Sequence, residues 1–159
     1  MNEPSSIDHP GVVAPPPLIY GLPLLFGLIV HFAGAGLDFG LPLWLRLVLG
    51  LSALAAGIVP IALALLRFRR AGTNPEPWKP ATALVVDGIY RLTRNPMYLG
   101  MALVYAGVAI ILDCAFTTAL LLPAVLTIHY GVILREERYL TAKFGEPYRD
   151  FLRQSRRWL

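Results

Sequence analysis

Residues 97–134 read MYLGMALVYAGVAIILDCAFTTALLLPAVLTIHYGVIL, and Asp113 is the single formal charge among these 38 positions. Two apolar runs stand there, 97–112 and 115–134, parted only by Asp113 and Cys114. As helices they rise 1.5 Å per residue, so the shorter run reaches roughly 24 Å, near the lower limit for crossing a bilayer. The link Leu112-Asp113-Cys114-Ala115 is too short for anything but a tight antiparallel hairpin. Two further runs, 18–37 and 47–66, contain no charge at all. The pattern predicts an all-α polytopic membrane protein with four transmembrane helices at 18–37, 47–66, 97–112 and 115–134. A cytoplasmic loop then covers 67–96, and a C-terminal helical segment lies in 135–159.

Composition agrees. Of 159 residues, 56% are hydrophobic and 15% charged, against about 25% charged in a soluble domain. So little polar surface cannot cover so much apolar material, and disorder is excluded by the same hydrophobicity. Fourteen Gly and fourteen Pro lack any collagen-like period. The lone Cys114 allows no disulfide framework, and no metal site is expected. The tail 1–17 lacks the positive start of a signal peptide and ends in three prolines, which reads as an uncleaved, partly extended lead-in.

Charge placement sets the orientation. Six Lys and Arg lie between the second and third runs, seven follow the fourth, and only Arg46 lies elsewhere. The positive-inside tendency places both termini and the central loop in the cytoplasm of a multi-pass protein of the cell (inner) membrane. The net charge of +4 thus flanks the spans rather than forming a nucleic-acid patch, so no nucleic acid is expected. Oligomeric state is not encoded in any pattern here. Pro23, Pro60 and Pro123 fall inside the runs, where transmembrane helices tolerate them.

The polar chemistry gathers on that cytoplasmic side in two clusters. The first is Gly88-Ile89-Tyr90-Arg91-Leu92-Thr93-Arg94-Asn95-Pro96-Met97-Tyr98-Leu99-Gly100. Asn95-Pro96 reads as a helix start, with Asn as N-cap and Pro in the first turn. Arg94 stands beside that N-terminus, a setting suited to a carboxylate or phosphate. The second cluster is Arg135-Glu136-Glu137-Arg138-Tyr139-Leu140, followed by Phe144-Gly145-Glu146-Pro147-Tyr148-Arg149-Asp150-Phe151. Its first helix should stop at Gly145, with Pro147 opening another. Leu140, Phe144, Tyr148 and Phe151 form an apolar stripe. His129 and Glu136 are seven apart and share one face of a regular helix, which makes the intramembrane His129 a candidate catalytic group. His31 has no polar companion at helical spacing and reads as structural.

Together these motifs resemble the isoprenylcysteine carboxyl methyltransferase and phospholipid methyltransferase superfamily, over roughly residues 82–151. That resemblance implies an integral membrane enzyme using S-adenosylmethionine. It places Tyr90, Arg94, Asn95, Tyr98, Gly100, Glu136 and Glu137 around the cofactor. Asn95 stands where the best-known members have His, and Asn is found there among bacterial relatives; it can cap and hydrogen-bond but cannot act as a base. The resemblance also links an Arg of the tail, here Arg153, to a substrate carboxylate, although the residues that follow it, Gln154 and Ser155, depart from the Arg-Val-Pro of the isoprenylcysteine enzymes.

The implied activity is methyl transfer to a lipophilic acceptor: an isoprenylcysteine-like carboxylate, a phospholipid amine or a small thiol. Membrane lipids are the surrounding partners, and His129, Glu136 and Arg153 are the candidate catalytic residues. An amine acceptor needs its proton removed, by His129 or a Glu, whereas a carboxylate needs no base. Two rival readings remain, an NADPH-dependent enzyme like the sterol reductases and a non-catalytic membrane subunit with the same fold. The reductases follow a similar Arg-x-Pro-x-Tyr-Leu-Gly motif with Asp, where this chain has Met101, and no Gly-rich dinucleotide fingerprint is present.

Overall fold

The computed structural model describes residues 8–159; the start of the expected N-terminal lead-in, 1–7, lies outside the described residues. Six α-helices follow one another: α1 (Pro16–Phe32), α2 (Leu43–Ala71), α3 (Pro96–Ile111), α4 (Ala115–Ile128), α5 (Leu134–Phe144) and α6 (Glu146–Gln154). A 3-10 turn at Gly88–Arg91 precedes α3, and a π turn at His129–Ile133 carries α4 into α5 without a break. No strand occurs among the described residues.

Two of these helical rods, Leu43–Ala71 and the continuous Ala115–Phe144, are long and apolar enough to cross a membrane. Pro16–Phe32 and Pro96–Ile111 are equally apolar in character but shorter, at 17 and 16 residues. The outward faces of α1, α2 and α4 carry large exposed hydrophobic side chains, among them Leu22, Phe26, Ile29, Leu51, Ile58 and Leu122. A soluble monomer rarely leaves so much contiguous apolar surface uncovered. The chain is a membrane protein.

The helix ends differ from the sequence expectation in two places. The first run was expected to extend through 37, yet α1 ends at Phe32 because the chain turns at Gly34, whose φ of +74° is open to glycine. The second run was expected at 47–66, yet α2 extends to Ala71, carrying Arg67, Arg69 and Arg70 on helix. It stops where Gly72 takes the left-handed conformation, φ +62°. The break after Phe144 falls where expected, at Gly145 with φ +63°.

Helix α2 packs chiefly on α3, and α1 on α4. The α2–α3 contact is set by two glycine pairs. A Cβ added to Gly57 would lie 2.5 Å from the Gly100 carbonyl oxygen, and one on Gly100 would lie 2.5 Å from that of Gly57. Gly50 and Gly107 repeat the arrangement seven residues along each helix, at 2.9 and 2.8 Å. Lipid offers no hydrophobic drive for helix association, so this backbone approach supplies the contact. Tyr20 and Tyr105 satisfy their buried hydroxyls on the Tyr98 and Thr117 carbonyls, at 3.1 and 2.9 Å.

At the end remote from the charged clusters, Asp113 knots the turns together. Its carboxylate accepts from the Leu41 N–H at 3.3 Å and pairs with Arg46 at 3.6 Å. His31, which showed no helical companion in the sequence, meets Asp38 from the following turn at 3.2 Å.

Gly57→Ala should therefore cost about 1–3 kcal/mol, as overpacking against rigid backbone does. Gly21→Ala, where a Cβ meets nothing within 4 Å, should be neutral or stabilising. Thermal melts of both variants in detergent check the pair.

Candidate functional site

The two polar motif clusters converge on one cavity. Its walls come from the first turn of α3 (Pro96, Met97, Tyr98), from α5 (Glu136, Glu137, Tyr139, Leu140) and from α6 (Tyr148, Phe151). Tyr90, Arg94 and Asn95 line it, together with loop residues 74–85 and Pro10 of the N-terminal tail. Six of the seven residues expected around a cofactor thus meet in space. The seventh, Gly100, does not line the cavity and instead makes the close contact with Gly57.

Tyr139 pins three segments around this opening. Its hydroxyl donates to Asp8 Oδ1 at 2.9 Å and accepts from the Ala81 N–H at 3.2 Å and from Lys143 Nζ at 3.0 Å. Lys143 pairs with Asp8 at 2.7 Å. Further along the tail, Arg135 donates to the Gly11 carbonyl at 2.6 Å. Thr73 Oγ1 accepts from the Thr82 and Ala83 N–H groups at 3.0 and 3.3 Å, folding the loop over the same side.

The two adjacent glutamates have opposite surroundings. Glu137 is held by both oxygens to Arg157, Nε to Oε1 at 2.9 Å and Nη2 to Oε2 at 2.7 Å, and Arg94 Nη2 lies 3.2 Å from Oε1. Glu136 accepts only the Tyr98 hydroxyl, at 2.7 Å, and among the described residues no Lys or Arg pairs with it. A buried carboxylate facing a cavity with a neutral donor alone lacks a compensating charge, which either a proton or a bound cation would supply. Tyr90 and Tyr148 stand nearby, both hydroxyls pushed to higher pKa first by burial and then by the glutamates. Arg157 is pushed up by its bond to Glu137.

Asn95 departs from the expected cap. It occupies the N-cap position of α3, but its side chain makes no capping bond; Nδ2 donates to the Arg157 carbonyl at 2.8 Å. Arg94 is likewise turned to the C-terminal tail, with Nη1 bonded to the Leu152 and Ser155 carbonyls at 2.9 and 2.6 Å. The sequence pattern placed both beside a bound anion. The tail, which turns back at Ser155, claims their polar atoms instead, and the helix N-terminus facing the cavity has no side-chain cap.

His129 and Arg153 lie outside the cavity lining. The His129 Nδ1 accepts from Trp158 Nε1 at 3.3 Å, and the two rings stack at 18°. A regular helix aligns His129 with Glu136; the π turn between them adds to the turn and removes that alignment. Arg153 is exposed on α6, bridging Glu146 at 2.7 Å and Asp150.

Residues the sequence reading passed over are Arg157, Trp158 and Tyr139. Tyr139 was findable, being three residues after Glu136 and four before Lys143 on one helix. Arg157 carried no such signal, since its partner lies 20 residues back and on a different element.

A family model described as phospholipid methyltransferase matches residues 45–147, a stretch that includes the first motif cluster and the second as far as Pro147. No curated protein matches the chain.

The Asn95 geometry generates a prediction. Asn95→Asp replaces a donor with a charge aimed at the Arg157 carbonyl, so it should lower stability by about 1–3 kcal/mol. A melting temperature equal to that of the parent in the same detergent would show that this bond contributes nothing.

Proposed function

The chain belongs to the phospholipid methyltransferase family, and on that premise we propose that it moves a methyl group from S-adenosylmethionine to a lipophilic acceptor. The observation that carries the reading is Glu136, a cavity carboxylate with no cationic partner among the described residues, set beside the uncapped N-terminus of α3. An amino-acid group carries an ammonium and a carboxylate, and these two features answer them in that order. Glu136 would hold the ammonium. The first-turn N–H groups of α3 would hold the carboxylate, and Arg94 adds positive potential from its place in the tail contact. Tyr90, Tyr98 and Tyr148 present electron-rich faces suited to a sulfonium.

When bound, S-adenosylmethionine supplies an electrophilic methyl on sulfur. The protein's contribution is orientation and exclusion of water, for which correct placement is worth about 7–11 kcal/mol. Loop 74–85, the N-terminal tail pinned by Tyr139 and α6 border the cavity on the side away from the apolar helices. A lipophilic acceptor then approaches from the bilayer, between helices. This requires α1 and α3 to cross the membrane along with α2 and the α4–α5 rod, giving four spans with both termini cytoplasmic. Thirteen of the fourteen Lys and Arg, all but Arg46, support that orientation. Gly100, His129 and Arg153 act outside the site in this reading: packing α3 on α2, seating Trp158 and stabilising α6.

Purified protein given methyl-labelled S-adenosylmethionine and a total lipid extract should move label into the organic phase. Glu136→Gln should weaken cofactor binding by about 1.5–3 kcal/mol, the worth of a hydrogen bond to a charged group. Calorimetry that finds NADPH bound and S-adenosylmethionine unbound overturns the reading.

A further inference from the structure

Three glutamates line the cavity: Glu76, Glu136 and Glu137. Glu76 is neutralised by Lys79 at 2.9 Å. Glu137 meets Arg157 with both oxygens and Arg94 with one. A bidentate guanidinium fixes the plane of a carboxylate as well as its charge, which a point charge cannot do. The Arg157 side chain is held in turn by its own backbone. Its carbonyl accepts from Asn95 Nδ2 at 2.8 Å and from Thr93 Oγ1 at 3.3 Å, and the neighbouring Arg156 carbonyl accepts from the Arg94 N–H at 2.8 Å. Trp158 finishes the anchor on His129.

We propose that Arg157 is a positioning residue for the cofactor: by taking both oxygens of Glu137, it reserves Glu136 for the ligand's ammonium and keeps a second negative charge out of the cavity. The proposal rests on the reading of this cavity as an S-adenosylmethionine site. The C-terminal tail, which does not itself line the cavity, thereby acts on ligand geometry through Glu137. With Arg157 removed, Glu137 keeps only the single contact to Arg94, and its freed oxygen competes with Glu136 for the cation. The competition depends on ligand charge. Both ligands have the same zwitterionic amino-acid group and lose the same geometry, but only S-adenosylmethionine carries the additional sulfonium charge that the added negative charge attracts, so its loss is partly offset and that of S-adenosylhomocysteine is not.

Calorimetric titration of both ligands into detergent-solubilised protein tests this. Arg157→Gln should weaken S-adenosylhomocysteine by about tenfold and S-adenosylmethionine by clearly less, raising the affinity ratio between them. Arg157→Lys should fall between parent and Arg157→Gln. The double variant Arg157→Gln/Glu137→Gln should bring the ratio back to within about twofold of the parent, because the stray charge is gone. An unchanged ratio in Arg157→Gln overturns the proposal, as does a double variant whose ratio stays as displaced as that of the single one. A parent protein that binds neither ligand overturns the cofactor reading itself, and the proposal falls with it.

Discussion

Two guanidinium groups on one carboxylate hold the polar end of this protein together. Glu137, 13% exposed, is met by Arg94 from the segment before α3 and by Arg157 from the tail after α6. Losing one of the two leaves Glu137 with a single arginine, which costs less than the roughly 3–5 kcal/mol of a buried charge with no partner at all. That penalty ties α5, the start of α3 and the C-terminus into one unit. Three neighbouring polar features accompany it. Arg94 is oriented by the tail carbonyls, Asn95 is drawn away from its capping position, and Glu136 is left facing the cavity with only a tyrosine hydroxyl.

The apolar half obeys a different constraint. Where lipid surrounds the helices, burial of apolar side chains gives no net reason to associate, so contact depends on close packing. The glycine pairs Gly57–Gly100 and Gly50–Gly107 let α2 and α3 approach until backbone meets backbone. That approach fixes where the first turn of α3 emerges, and hence where its unpaired N–H groups point. Gly27 does the same for α1 against Thr117 of α4, where an added Cβ would lie 2.5 Å from the threonine hydroxyl oxygen. The rigid frame below and the ionic tie above meet at Tyr98, whose carbonyl accepts from Tyr20 and whose hydroxyl donates to Glu136.

The two adjacent glutamates show how far a linear reading reaches. Both stand in one motif, and their spacing brings both to the same helical turn. Nothing in the local sequence distinguishes them, because the difference is a partner 20 residues away. His129 is the converse case. Its seven-residue separation from Glu136 predicts a shared face, and a π turn without any sequence mark displaces it onto Trp158.

The sequence by itself determined the apolar helical runs, the clustering of positive charge in two segments and the stop at Gly145, which follow from local hydropathy and from the backbone preferences of glycine and proline. The meeting of Tyr90, Arg94, Asn95, Tyr98, Glu136 and Glu137 was implied by the resemblance of their motifs to the methyltransferase superfamily, not by any local pattern. The tertiary structure alone decided what each of those side chains does. Hydrogen-bonding capacity is finite, and the tail that turns back at Ser155 takes up that of Arg94, Asn95 and Glu137. Which polar atoms remain for a ligand depends on that long-range competition, which residue type and spacing do not record.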